Sequence, residues 1–126
     1  MSLENLKNKK GFFSLKPSSK DDILKAEKQL DVTFSNDFKT YTSMYGAISV
    51  NGKEITGVVE SNRLSVVEKT LQARIENENF PETMYVIEDL AIEMCLILQG
   101  KDGKIYRYTP IALEYINENL LDYIES

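Results

Sequence analysis

The sequence predicts an α+β fold: a single domain with a largely antiparallel sheet and helices packed on one side or at its ends. Three observations predict it. Helical apolar spacing and period-two alternation both occur, in mixed runs along the chain. Asn51-Gly52 lies between two alternating stretches, which is the strongest short-range signal for a hairpin. The chain has 126 residues, the size of one domain. At that length a fold buries roughly two-thirds of its unfolded surface without metal or disulfide staples.

The elements follow in order. Residues 1–20 form a basic leader, expected as an irregular arm or short helix anchored by Phe12, Phe13 and Leu15; residues 21–126 form the α+β domain proper. The first helix opens at Ser18-Ser19, each followed three residues later by an acid, Asp21 and Asp22. Ile23, Ala26 and Leu30 continue it at helical spacing, and Asp31-Val32-Thr33 breaks the pattern. Ser35 caps a second helix, with Asp37 in the first turn, where the dipole favours an anion, and Gly46 at the C′ position. Its stripe is Phe34, Phe38, Tyr41 and Tyr45. The Asn51-Gly52 hairpin follows, in which a type I′ turn needs positive φ at both central residues.

A third helix is expected over 63–77. Ser65 and Glu68 form a capping box, and Leu64, Val67, Leu71 and Ile75 make the buried face. Pro81 separates it from a strand at 84–87. The apolar run 94–98 is a strand buried on both faces. The turn Gly100-Lys101-Asp102-Gly103 leads to Ile105-Tyr106-Arg107-Tyr108, which alternates as a half-buried antiparallel strand does. Pro110 ends it. A last helix then carries Leu113, Ile116, Leu120 and Ile124 on one face. The expected core joins Phe34, Phe38, Leu71, Val86, Leu96, Ile116 and Leu120.

Composition narrows function. Histidine is absent, which removes the commonest general base and the commonest metal ligand. One cysteine allows neither an intrachain disulfide nor a thiolate cluster. Net charge is −5, unevenly spread: residues 1–20 hold five lysines and one glutamate, leaving ten bases and nineteen acids in 21–126. An acidic body repels nucleic-acid phosphates and favours basic partners. No apolar run approaches the ~20 residues a bilayer span needs, and no signal-peptide pattern is present, so a cytoplasmic protein is expected. Neither nucleic acid nor membrane is expected as a partner.

No GxGxxG, P-loop, GxSxG or HExxH pattern occurs, so no cofactor and no catalytic residue is assigned. Cys95, inside the apolar run, lacks a base to activate it and is read as a small buried hydrophobe that reacts slowly with thiol reagents. Glu88, Asp89 and Glu93 are read as a solvated loop rather than a metal site. Thr70 and Arg74 share a helix face, with Arg74 expected to pair with Glu78 or to cover apolar surface with its stem. The seven tyrosines are assigned chiefly to packing.

The segment Ile23-x-x-Ala26-Glu27-x-x-Leu30, then Phe34-Ser35-x-Asp37-Phe38-Lys39-x-Tyr41-x-x-x-Tyr45-Gly46, resembles the N-terminal helix pair of the SUKH superfamily. Val66-Val67-x-x-Thr70-x-x-x-Arg74 is similar to the helix after the first hairpin. Residues 85–87, 96–98 and Asp102-Gly103-Lys104-Ile105-Tyr106 are similar to the closing strands. Ser35 stands where the family pattern has proline, and residues 88–93 replace a glycine-rich turn. The resemblance spans about residues 21–126.

The resemblance implies a binding protein. Bacterial members are typically immunity proteins that bind and block a toxin domain such as a nuclease; yeast relatives regulate cell-wall synthesis through protein contacts. The first expectation is a non-enzymatic, intracellular immunity protein with a basic-surfaced cognate toxin as partner. Alternatives are a regulatory or scaffolding domain with a housekeeping partner and, more remotely, a small ligand-binding or hydrolytic domain built on carboxylates and tyrosines. The acids flanking the strands, Glu54, Glu60, Asp89 and Glu93, are the expected partner-binding residues.

Overall fold

The computed structural model describes residues 2–92 and 94–126. A 3₁₀ turn, Leu3–Asn8, is followed by β1 (Phe13–Ser14), α1 (Lys20–Leu30), α2 (Asn36–Tyr45), β2 (Ile48–Val50) and β3 (Lys53–Ile55). Then come α3 (Val66–Glu76), β4 (Tyr85–Asp89), β5 (Leu96–Gln99), β6 (Ile105–Thr109), β7 (Ala112–Asn117) and α4 (Leu120–Glu125). The strands form two antiparallel sheets, β1-β2-β3 and β4-β5-β6-β7. The fold is α+β.

Each α-helix starts on a side chain that satisfies an otherwise orphaned N–H. Ser19 accepts from Asp22, Ser35 from Phe38, Ser65 from Glu68 and Asn119 from Asp122. Ser18, the other N-cap candidate, serves elsewhere: its hydroxyl bonds Thr42 and the Val58 carbonyl. Asn51 and Gly52 have φ of 50° and 79°, as the type I′ hairpin requires. Gly46 also has positive φ, and a Cβ there would overlap the Lys16 carbonyl oxygen. A Cβ on Gly57 would overlap the Gly46 carbonyl oxygen, so two glycines let three backbone segments meet.

The four-stranded sheet buries apolar side chains on both faces. One face meets α1, α2, α4, the smaller sheet and Leu6 of the 3₁₀ turn, through Tyr85, Ile87, Ile97 and Ile105. The other carries Val86, Leu98 and Tyr108 under Ala73 of α3 and Phe80. The central strand β5 sends Ile97 to the first face and Leu98 to the second, which is the two-sided burial its apolar run predicts. A bulge at Val86/Glu88 resets the alternation of β4 and pairs Glu88 with Ile97. The sheets join where Thr56 donates from its N–H to Ile87 and from its hydroxyl to Val86, both at 2.8 Å.

Asp37 ties these layers together. Its Oδ1 accepts from the Ser35 hydroxyl and from Gln99 Nε2 at 3.0 Å, and its Oδ2 accepts from the Leu120 N–H at 2.9 Å. Tyr85 O–H, which accepts from the Ser35 N–H at 2.9 Å, donates to Gln99 Oε1 at 2.9 Å.

Several expectations are corrected. The chain after Pro110 is strand β7, and only Leu120 onward is helical. Pro110 and Ile111 form a two-residue turn between paired Thr109 and Ala112, so proline here reverses the chain rather than ending the sheet. Leu113 therefore sits exposed on a strand and Ile116 is only partly buried. In α3 the buried face is Val66, Thr70 and Ala73; Leu71 is 37% and Ile75 86% exposed. Small residues win that face because α3 lies close on β4, where the Thr70 hydroxyl accepts the Val86 N–H at 3.0 Å.

The expected core thus divides: Phe34, Phe38 and Leu120 lie in the main cluster, Val86 in the second, with Leu96 partly buried against it. In the leader, Leu6 and Phe12 make the apolar contacts, whereas Phe13 is 63% exposed. Strand β5 begins at Leu96; Met94, with φ of 57°, and Cys95 precede it. Cys95 is half-buried rather than sealed in a strand.

Asp37→Ala should lower stability by about 3 kcal/mol, because it strands buried donors from three elements. Urea unfolding reads this as a lower midpoint at unchanged slope. Ile75→Lys, on the exposed face of α3, should stay within about 0.5 kcal/mol of wild type. Equal midpoints for the two variants would show that the Asp37 contacts contribute nothing net.

Candidate functional site

Two of the expected acids come together. Glu54 on β3 and Asp89 at the end of β4 line one shallow groove of about 180 Å³ with Thr56, Leu64, Arg63 and Lys69. Neither carboxylate is free. Glu54 pairs with Arg63, and Asp89 pairs with Lys69 at 3.3 Å while accepting the Ala91 N–H at 2.8 Å. The patch is therefore of mixed sign, and exposed pairs of this kind stabilise little. Spacing along the chain carried no sign of it, because Arg63 and Lys69 approach from a loop and a helix.

Glu60 lies elsewhere, and Glu93 is outside the described residues. Glu60 belongs to the loop between β3 and α3, where two adjoining cavities of about 330 and 420 Å³ share Asp22, Val58, Val59 and Glu60. Leu15 and Pro17 wall one, and Val67 and Glu68 the other. Together they make a groove between the leader, α1 and α3 whose lining mixes apolar side chains with charges of both signs, Asp22, Glu60 and Glu68 beside Lys16 and Lys25. The loop is held rigidly: Val58 gives its carbonyl to Ser18 at 2.6 Å and its N–H to Thr42 at 2.9 Å. Gly57 bonds Leu64 and Val66, each at 2.9 Å. A fixed loop of this sort presents its side chains without an ordering cost.

Glu88, expected in a solvated loop, is buried. Its carboxylate accepts from the Glu54 N–H at 2.8 Å and from the Tyr123 hydroxyl. Arg74 also differs from its expected pairing with Glu78. Its guanidinium donates to the Leu30 carbonyl at 2.6 Å and to the Glu82 carbonyl at 3.3 Å, which caps the C-terminus of α1. Burial pushes the Tyr41 and Tyr85 phenols well up, and burial and then the Glu88 bond do the same for Tyr123. These phenols hold their protons at neutral pH and serve packing. Among the described residues, no group of three or more Cys, Asp or Glu side chains is arranged to hold a metal ion. No helix among them is long and apolar enough to cross a membrane.

The helix pair, hairpin, third helix and closing antiparallel sheet reproduce the expected architecture, and a family model decides the identity. SUKH_5, described as SMI1-KNR4 cell-wall, matches residues 1–126, the whole chain. The chain belongs to the SMI1-KNR4 family of the SUKH superfamily. No curated protein matches it. The matched span includes the leader, and in this SUKH protein Leu6 is fully buried in the main core and β1 pairs with β2.

Two measurements check this chemistry. Tyr123→Phe should lower stability by about 2 kcal/mol, since the buried Glu88 carboxylate loses a donor. The buried phenols ionise only on unfolding, whereas the unfolded chain releases those protons near pH 10. Stability should therefore fall as pH rises above about 10. Tyr41, Tyr85 and Tyr123 should gain tyrosinate absorbance in the same step that loses circular dichroism. Smooth titration of all seven tyrosines before unfolding would contradict the burial assignments.

Proposed function

We propose that this SUKH protein is a non-enzymatic immunity protein that binds and neutralises a cognate protein toxin domain of the nuclease type. What carries the proposal is the family match along the whole chain, in a superfamily whose bacterial members typically act this way. Charge supports it: the chain is acidic, and a nuclease must present a basic surface to its phosphate substrate. Masking that surface needs complementary potential and a few buried anchors rather than reactive groups. Glu54, Glu60, Asp89 and Glu93 remain our assignment for the acidic rim. Of the described three, Glu60 is the one with no salt bridge within 4 Å.

The family description, SMI1-KNR4 cell-wall, favours a second reading, in which the same fold regulates or scaffolds a housekeeping partner. The location follows from the toxin reading: neutralisation takes place in the cytoplasm, where a nuclease would meet its substrate.

The test is co-expression with a toxin-like domain encoded beside the gene. Rescue of growth, with a stoichiometric complex, is the expected result; no binding transfers the assignment to the housekeeping partner. Association should slow by about tenfold or more between low and high salt if charge steers the encounter. Glu60→Lys should slow association more than it speeds dissociation. Tight binding with a salt-independent association rate would remove electrostatic masking and leave shape and apolar contact as the mechanism.

A further inference from the structure

β7 is six residues long, the longest strand of the protein, and stands at the edge of the four-stranded sheet. The opposite edge is sealed, since Thr56 and the Glu54 N–H cover β4 through Val86, Ile87 and Glu88. Along β7, Ala112, Leu113, Glu114 and Tyr115 are all exposed, and no strand among the described residues pairs with its outer side. An edge of this kind presents a row of N–H and C=O groups to solvent. Proteins usually blunt such edges with lysine, proline, a bulge or a cover. The six residues of β7 contain neither lysine nor proline, and the bulge between β6 and β7 lies at their far end, beside Ile116.

The register adds chemistry to this edge. Tyr115 opposes Tyr106 and Leu113 opposes Tyr108, so Leu113 and Tyr115 share one face and Glu114 points to the other. The Tyr106 and Tyr115 rings meet edge to face at 5.9 Å, and Tyr115 is 53% and Leu113 44% exposed. From Tyr108 to the C-terminus the chain carries four acids, Glu114, Glu118, Asp122 and Glu125, and no base. Arg107 opposes Glu114 across β6 and Lys9 pairs with Glu125 at 3.5 Å, so the edge keeps a net negative charge. Pairing two copies through it would set eight acids against four bases, whereas a basic segment meets an excess of acid.

We propose that β7 is a docking edge for an extended segment of a partner protein that alternates apolar and basic residues. The segment adds as a fifth strand. Its apolar side chains continue the Tyr106–Tyr115 and Tyr108–Leu113 rows, and its lysines or arginines lie beside Glu114. This rests on the reading of the chain as a protein-binding module and names the surface that such binding uses.

The probe is an eight-residue peptide alternating valine and lysine, titrated into the full chain at low salt with amide-resolved NMR. Shifts concentrated on residues 112–117 are expected, with about tenfold weaker binding of the valine–glutamate counterpart. Loss of binding is expected when the peptide's pairing amides are N-methylated, and in Leu113→Lys or Tyr115→Lys chains whose circular dichroism is native. Shifts in the Glu60 groove instead, equal binding of both peptides, or no binding would overturn the proposal. So would a dimer in sedimentation whose β7 amides are protected without peptide, because the occupant would then be a second copy. Neutralisation of the neighbouring toxin is read separately. If folded Tyr115→Lys still binds and neutralises it fully, docking at β7 is wrong and the immunity assignment stands; if wild type takes the peptide at β7 but ignores the toxin, the immunity assignment fails alone.

Discussion

The carboxylate of Asp37 is the point on which the layers of this fold depend. It sits in the first turn of α2, where the helix dipole favours an anion, yet its bonds reach well beyond that turn. One oxygen holds Gln99 of β5 and the other holds the first N–H of α4. Gln99 is fully buried, and its amide is satisfied by Asp37, Gly103 and Tyr85 together. A buried polar network of this kind rigidifies when every member is paired and destabilises when one is missing. Helix pair, central strand and C-terminal helix are therefore positioned by one side chain.

A second constraint is close approach of backbone. Gly46 and Gly57 let the leader, the end of α2 and the loop after β3 come within a distance that no Cβ allows. Thr42 occupies the same corner, where its hydroxyl bonds Ser18, the Gly46 carbonyl and the Val58 N–H. The small face of α3 works similarly, with Thr70 and Ala73 against the sheet in place of larger side chains. Rigidity at these corners gives the Glu60 loop and both grooves a fixed shape, which suits recognition of a preformed surface.

Charge is distributed in two ways. Around Glu54 and Asp89 it is neutralised locally by Arg63 and Lys69. Toward the C-terminus four acids follow one another along the chain; Lys9 pairs with Glu125 and Arg107 opposes Glu114, while the strand that carries Glu114 is left open at the sheet edge. Long-range potential is a sum over the molecule, so both regions contribute to its net negative field, while local pairing lowers the share of each.

The sequence by itself determined whatever depends on neighbours within about one turn. N-caps at Ser19, Ser35 and Ser65, the Asn51-Gly52 hairpin, the stripe of α2 and the family pattern from Ile23 to Gly46 were legible, because each is a local rule of backbone geometry or spacing. Tertiary structure decided the rest. Leu113 and Ile116 fit a helix by spacing, but pairing with β6 satisfied a whole row of backbone groups and the strand prevailed. Leu71 and Ile75 fit a buried face by hydropathy, but the sheet approached α3 from the side of Thr70 and Ala73. Glu88 became a buried acceptor only because a bulge in β4 turned it toward Tyr123 and the Glu54 N–H. For the candidate surface, the sequence supplied the acids, whereas residues distant along the chain decided that Glu54 and Asp89 are neutralised and that Glu60 borders an open groove.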